Sequence, residues 1–158
     1  MSDSSLARGE LLFHENLQSH PRLNWLSTRK RGAFDSLEPT DLPGIVYEPI
    51  ASIDSVRSIA GPKMVPFRVR LSMLVVGGVK GLGGSNIIDS APMDRNILNL
   101  ATDVRAVIWD NFTLGPTGTA GRIVELSEVN YTRTDIDSVS LFAFTASIEV
   151  EDRFVSNG

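Results

Sequence analysis

A glycine-rich stretch, GGVKGLGGSN at residues 77–86, is the part of the sequence closest to a ligand-binding motif. It lies between an apolar run and a predicted helix, the order in which nucleotide-binding proteins hold phosphate. Neither common spacing is complete: no Gly-Lys-Ser or Gly-Lys-Thr follows, and Asn86 takes the sixth position of the dinucleotide motif that begins at Gly81. The helix is also expected to start several residues later. The stretch therefore predicts a mobile connecting loop that binds no nucleotide.

Nucleophilic, acid–base and metal chemistry find little support in the residue types. The histidines are His14 and His20, neither has a carboxylate partner by spacing, and no G-x-S-x-G motif occurs. Glu149 and Glu151 share one face of a predicted strand, close to Asp152, as paired carboxylates do in glycosidases, but a solvated strand end explains them more simply. No compact group of histidines and carboxylates has metal-ligand spacing. We expect no catalytic, cofactor-binding or metal-binding residue, no cofactor, and a protein that is not an enzyme.

A basic cluster, formed by Arg29, Lys30 and Arg31 with Trp25 nearby, resembles a contact to nucleic acid. The flanking residues are not basic, however, and the net charge of the chain is −4. An exposed strand whose charges prevent edge pairing accounts for the cluster better. We expect these residues to contact protein rather than DNA.

Length and composition predict one globular domain that spans residues 1–158. The hydrophobic fraction of 42% and the charged fraction of 22% are typical of such domains. The absence of cysteine excludes disulfides, and no apolar run approaches the roughly 20 residues that span a bilayer. The start is polar, MSDSSLARGE. We therefore expect a cytoplasmic setting without membrane contact, and a short flexible end at residues 155–158.

Two stretches have helical character. Residues 4–19 predict a short helix that ends before Pro21, with Leu6, Phe13 and Leu17 on one side. Residues 91–111 predict a long helix, capped by Asp89 or Ser90. Its apolar positions repeat at helical spacing at Ile97, Leu100, Ala101, Val104, Val107 and Ile108. This stripe requires a sheet to pack against.

Four stretches predict that sheet. Residues 67–76 and 139–152 alternate between apolar and polar positions, and residues 122–132 alternate less regularly. The stretch IVYEPIASI predicts an edge or bulged strand because of Pro49. Phe142, Phe144 and Ile148 are expected to face the long helix. The fold class is α+β: a mixed, mostly antiparallel sheet of about four to five strands, packed against a short N-terminal helix and a long helix.

The chain resembles the tail terminator proteins of long-tailed bacteriophages, also called minor tail or tail completion proteins. Four stretches carry the likeness. They are the N-terminal helix, LPGIVYEP, FRVRLSMLVVGG with its glycine-rich exit, and the C-terminal half from NILNLATDVRAVIWDN through RIVELSEVNYTRTD to SVSLFAFTASIEVEDRF. Together they cover about three quarters of the chain. Residues 20–40 form a longer insertion than the family pattern has.

The resemblance implies a structural virion protein of the tail–neck region, assembled in the host cytoplasm. A hexameric ring would cap the head-proximal end of the tail tube, stop tube growth and join the tail to the neck. Its partners would be further copies of the chain, the tube protein and a neck or head completion protein, with genomic DNA only passing through the lumen. We expect contacts at the basic cluster and at the loops of residues 77–86 and 115–121. The candidate interface residues are Arg29, Lys30, Arg31, Gly78, Lys80, Gly83, Pro116, Thr117 and Gly118.

Two other interpretations remain open from the sequence. Within the virion, the chain could be a head completion or tail tube protein. In a different class, the sheet, the long helix and the glycine-rich loop could form a small-molecule-binding module.

Overall fold

The structure, a computed structural model, describes residues 5–55, 65–81, 95–111, 113–114, 121–134 and 139–154. These ranges contain two α-helices, α1 (Ser5–Ser19) and α2 (Ile97–Asp110), and short 3-10 helices at Pro21–Leu23, Phe34–Ser36 and Pro39–Asp41. The strands are β1 (Thr28–Arg31), β2 (Gly44–Ser55), β3 (Val65–Lys80), β4 (Thr113–Leu114), β5 (Gly121–Leu126), β6 (Asn130–Arg133) and β7 (Val139–Phe154).

The described strands form a seven-stranded sheet in the order β1-β2-β3-β7-β5-β4, and β6 pairs with β7 beyond the end of β5. β1 and β2 are parallel, and the other pairs are antiparallel. The predicted α+β class with a mixed, mostly antiparallel sheet is confirmed. The sheet has more strands than the four to five expected, since the stretch 122–132 divides into β5 and β6 and the two-residue strand β4 is too short to show alternation.

The stretch 122–132 was predicted as one strand and is two. β5 pairs with β7 near Ile148, and β6 pairs with β7 near Phe142. Between them, the Ser127 N–H donates to the Thr145 carbonyl at 2.8 Å, and the Thr145 N–H donates to Ser127 Oγ at 2.7 Å. The Ser127 hydroxyl thus takes the place of a backbone acceptor. The N–H and carbonyl of Thr145 in β7 stay hydrogen-bonded where the chain leaves β5.

One face of the sheet, here called the helix face, carries the core. Along β7 its residues are the predicted set, and Phe142, Phe144 and Ile148 are at most 2% exposed. The rings of Phe142 and Phe144 stack with centroids 5.8 Å apart. Alternate residues of β3 complete the layer, and α1 and α2 cover it with Phe13, Leu17 and the apolar stripe of α2. The predicted faces of both helices and of β7 are therefore confirmed.

Helix α2 begins at Ile97, six residues after the predicted start. Its N-cap is Asn96, whose side-chain oxygen accepts a hydrogen bond from the Asn99 N–H at 3.0 Å. The predicted caps, Asp89 and Ser90, lie outside the described residues, and the assignment to them was wrong. Asn, Asp and Ser cap helices about equally well. The residue that caps α2 therefore depends on where the apolar stripe of the helix meets the sheet, and residue type alone does not identify it.

Gly77 and Gly78 belong to β3, which continues to Lys80, so the prediction that a loop begins at Gly77 was wrong. Gly77 pairs with Phe142, and a Cβ on this glycine would overlap the Phe142 ring. On the other face, a Cβ on Gly78 would lie 2.7 Å from Leu141 Cδ2. These glycines leave room for neighbouring side chains. Residues 82–86 of the predicted loop lie outside the described residues.

Among the described residues, one segment covers the outer face of the sheet, opposite the helices, and it does so at one end. The segment of residues 32–43, with two 3-10 helices, packs there through Leu37 and Leu42, and Val76 beneath it is 2% exposed. The stretch predicted as an insertion, residues 20–40, thus supplies β1 and part of this cover. The predicted irregularity at Pro49 is confirmed, because the β2–β3 register shifts between Pro49 and Ala51.

The Phe144→Ala substitution should lower the free energy of unfolding by about 3–5 kcal/mol, since it leaves a cavity under the helices. That is a large share of the ~5–15 kcal/mol that stabilises a domain. Phe34→Ala is the matched control: Phe34 is 53% exposed, and its loss should amount to less than about 1 kcal/mol. Chemical denaturation measures both, and equal losses would contradict this assignment of the core.

Candidate interaction surfaces

The basic strand β1 is joined to the end of α1. Arg29 Nη1 donates to the carbonyls of Leu17 at 3.0 Å and His20 at 3.1 Å. In return, the Gln18 side-chain amide donates to the Arg29 carbonyl. The last carbonyls of a helix lack partners within the helix and carry partial negative charge. Arg29 therefore fixes β1 to α1.

The other two cations of β1 also have partners in the same chain. Lys30 Nζ lies 3.1 Å from Asp41 Oδ2, and Arg31 forms a two-pronged contact with Glu10 at 2.6 and 2.8 Å. The hydrogen bond that the backbone N–H of Glu38 donates to Asp41 lowers the pKa of this carboxyl, and the hydrogen bond from Lys30 lowers it further. The predicted strand is thus confirmed, and its charges are largely matched within the chain. Their contact with a second protein stays a prediction.

The remaining predicted interface residues are dispersed. Gly78 is buried under its own chain, and Lys80 is exposed at the end of β3. Gly83, Pro116, Thr117 and Gly118 lie outside the described residues. Trp25, which suggested a nucleic-acid contact beside the basic cluster, donates its indole N–H to Asp103 of α2 at 3.2 Å and packs against the core.

A polar contact lies between α1 and β2. Tyr47 is fully buried, and its hydroxyl lies 2.6 Å from His14 Nδ1. Burial raises the pKa of Tyr47 to about 12, so its hydroxyl stays protonated and can donate to the neutral imidazole. Burial is the main cause that lowers the pKa of His14, and the positive charge of Arg31 lowers it further. Both shifts favour the neutral pair.

Charged side chains cross the uncovered part of the outer face. Glu149 lies 3.3 Å from Arg122 and 3.9 Å from Arg70, and Arg70 lies 3.8 Å from Glu125. The sequence offered two interpretations of Glu149, one of a carboxylate pair or part of a solvated strand end; in the structure its side chain lies between two arginines and is 18% exposed. The pair of Arg70 with Glu125, in which both side chains are exposed, contributes little to stability.

An open groove of about 600 Å³ lies between α2 and β5. Trp109, on the outer side of α2, is 56% exposed beside it. The lining residues are Arg105, Ala106, Trp109, Val124, Glu125 and Leu126. Sequence reasoning did not find this surface. The sequence feature that could have indicated it is Trp109, which lies four residues after Arg105 and outside the apolar stripe of α2.

The described residues share three further features. They contain no group of three or more His, Cys, Asp or Glu that could hold a metal ion. Among the same residues, no helix is long and apolar enough to cross a membrane. Every buried side-chain nitrogen or oxygen that the structure describes has a hydrogen-bond partner.

Comparison with known proteins gives a relative by fold alone. No model of a protein family matches the chain, and no curated protein matches its sequence. The fold matches a chain in a solved structure described as the virion of a native gene transfer agent (GTA) particle. The TM-score is 0.53 and the identity is 12%, over 96% of this chain and 100% of that one. At this identity, the likeness shows a shared fold.

Arg29→Ala should lower the free energy of unfolding by about 1–2 kcal/mol, because the Leu17 carbonyl in the last turn of α1 and the His20 carbonyl just after the helix lose a charged donor. The control is Arg133→Ala, which removes an exposed cation of β6 and should change stability by less than about 0.5 kcal/mol. Urea denaturation of the two variants gives the comparison. Equal effects would show that the contact of Arg29 with α1 does not stabilise the fold.

Acid should destabilise the protein in part through His14. Its pKa is lowered in the folded state, so the unfolded chain binds the proton more readily. The stability that His14 contributes is full above its unfolded pKa of about 6.5 and falls as the pH drops towards the folded value. His14→Asn keeps an acceptor for Tyr47 and does not titrate. Unfolding free energies between pH 5 and 8 should depend less on pH in this variant, and an unchanged slope would refute the assignment.

Proposed function

We propose that this chain is a structural virion protein of a long-tailed bacteriophage, and that it acts as the tail terminator. In this role a ring of subunits, which we take to be a hexamer, covers the head-proximal end of the tail tube and joins it to the neck. The observation that carries the proposal is the fold, shared over the full length of a chain from a particle described as a virion. The resemblance in four sequence stretches supports the narrower role.

Those stretches adjoin one another in the structure. The N-terminal helix is α1, LPGIVYEP leads into β2, and FRVRLSMLVVGG lies in β3. The C-terminal stretches form α2, β5, β6 and β7. β3 and β7 are central neighbours in the sheet, and both helices contact β7. The likeness therefore involves a contiguous unit of the fold.

Two surfaces support a role in assembly. Beyond the segment of residues 32–43, no described segment covers the outer face of the sheet, and its mixture of apolar and charged residues suits an interface with an apolar core and a polar rim. The exposed Trp109 lies beside a groove, and tryptophan is among the residues that contribute most to protein contacts. Protein contacts of this kind require no catalytic group, so we propose a non-enzymatic role.

Electrostatics support a lumen through which DNA slides. The chain has a net charge of −4, and the three cations of β1 contact acceptors of their own chain. Protein cations that neutralise phosphates hold DNA tightly and release counterions. Weak contact with phosphate would let the genome enter and leave through a ring.

Deletion of the gene tests the proposed role. A terminator must cover the surface on which the next ring of the tube would stack. Without it, we expect tails of irregular length and DNA-filled heads without tails in electron micrographs of the lysate. Expression of the gene from a plasmid should restore uniform, attached tails.

Other outcomes would identify a different component. Uniform tails that stay unattached would indicate a head completion protein, and heads without any tubes would indicate the tube protein. Uniform tails joined to heads would exclude the terminator role.

A further inference from the structure

Strand β5 has an edge that the described strands leave largely unpaired. β7 pairs with one side of β5 over residues 122–126, with a register shift between Ile123 and Glu125, while β4 pairs with the other side only at Gly121 and Arg122. From Ile123 to Leu126, no described strand pairs with that second side. Unpaired backbone donors and acceptors of this kind can bind another extended chain.

Helix α2 forms the opposite wall of a groove along this edge. Trp109, which is 56% exposed, and Arg105, also exposed, lie on the helix side, and Val124 and Leu126 lie on the strand side. A groove between a helix and an edge strand is the arrangement in which an extended peptide adds a strand to a sheet. Main-chain bonds then give affinity, and alternate side chains give specificity.

The register of β5 defines the chemistry of the added strand. Leu126 lies opposite Ala146 on the helix face, whereas Glu125 lies opposite Ser147 on the outer face. The side chain of Glu125 is 63% exposed, and Arg70 Nη1 lies 3.8 Å from its carboxylate. Side chains of a strand alternate between the two faces. An added strand therefore places one set beside Leu126 and Trp109, and the other set beside the carboxylate of Glu125.

We propose that this groove binds an extended segment of another protein, in which apolar residues alternate with lysine or arginine. Opposite charges that face each other across a strand pair are favourable, and an aromatic anchor in a groove contributes strongly to binding. The basic strand of a second copy, β1, fits less well. Its sequence TRKR has no apolar residue, and its cations contact Glu10, Asp41 and the end of α1. The proposal does not depend on the terminator role.

A synthetic peptide tests the groove directly. The probe is Thr-Val-Lys-Val-Lys-Val-Thr with blocked ends, and the same peptide with glutamate in place of lysine is the comparison. In the ¹⁵N-labelled wild-type protein, the lysine peptide should shift the backbone amide signals of residues 123–126 and the indole signal of Trp109. The glutamate peptide should bind at least threefold more weakly.

Matched variants separate the two contacts. Trp109→Ser should weaken binding about tenfold or more, while Leu98→Ser, which replaces an exposed residue of the same helix outside the groove, should leave it unchanged. Glu125→Lys should reverse the preference between the two peptides. Glu128→Lys makes the same charge change outside the groove lining and should preserve the preference.

Three results would overturn the proposal. The first is no shift at residues 123–126 with millimolar lysine peptide. The second is an equal loss of binding in Trp109→Ser and Leu98→Ser. The third is self-association of the wild-type protein that Trp109→Ser abolishes in sedimentation experiments, which would assign the groove to a second copy.

Discussion

The pairing of β3 with β7 is the contact on which the rest of the structure depends. The two strands pair without a register shift from Val65 with Phe154 to Lys80 with Val139. Because side chains alternate along both strands, this single register sends one set of apolar residues to the helices and the other set to the outer face. A shift by one residue would exchange the two sets. The helices, β2 and β5 are all placed by this pair.

The local pattern of apolar and polar residues was sufficient to predict the central part of most helices and strands. The alternation of β7 identified Phe142, Phe144 and Ile148 as core, and the spacing in α2 identified its buried face, because both depend only on backbone period. The first residue of α2 could not be predicted from the pattern in the same way. Several residues before Ile97 have good capping chemistry, and packing against the sheet selects Asn96 among them.

Features that depend on distant residues were not accessible. Gly77 looked like part of a loop, since nothing nearby in the sequence shows that Phe142 occupies the space beside it. The cations of β1 looked free because Glu10 and Asp41 approach them only after β1 pairs with β2. The groove at Trp109 likewise exists only when α2 and β5 are side by side. Periodicity correctly predicted the mixed fold class, but it carries no information about such juxtapositions.

The long β3–β7 pair also sets the order of events when the chain folds. Even the pair that is closest in sequence, Lys80 and Val139, is separated by about 60 residues. The first contact between the strands must therefore close a large loop and lose chain entropy before further contacts stabilise the pair. Chains dominated by such distant pairings fold slowly, on the scale of milliseconds to seconds. Helix α1, by contrast, uses contacts within one turn and forms quickly, although alone it is too short to persist. Newly made chains therefore pass through a period with unpaired strands, in which premature contact between chains competes with folding.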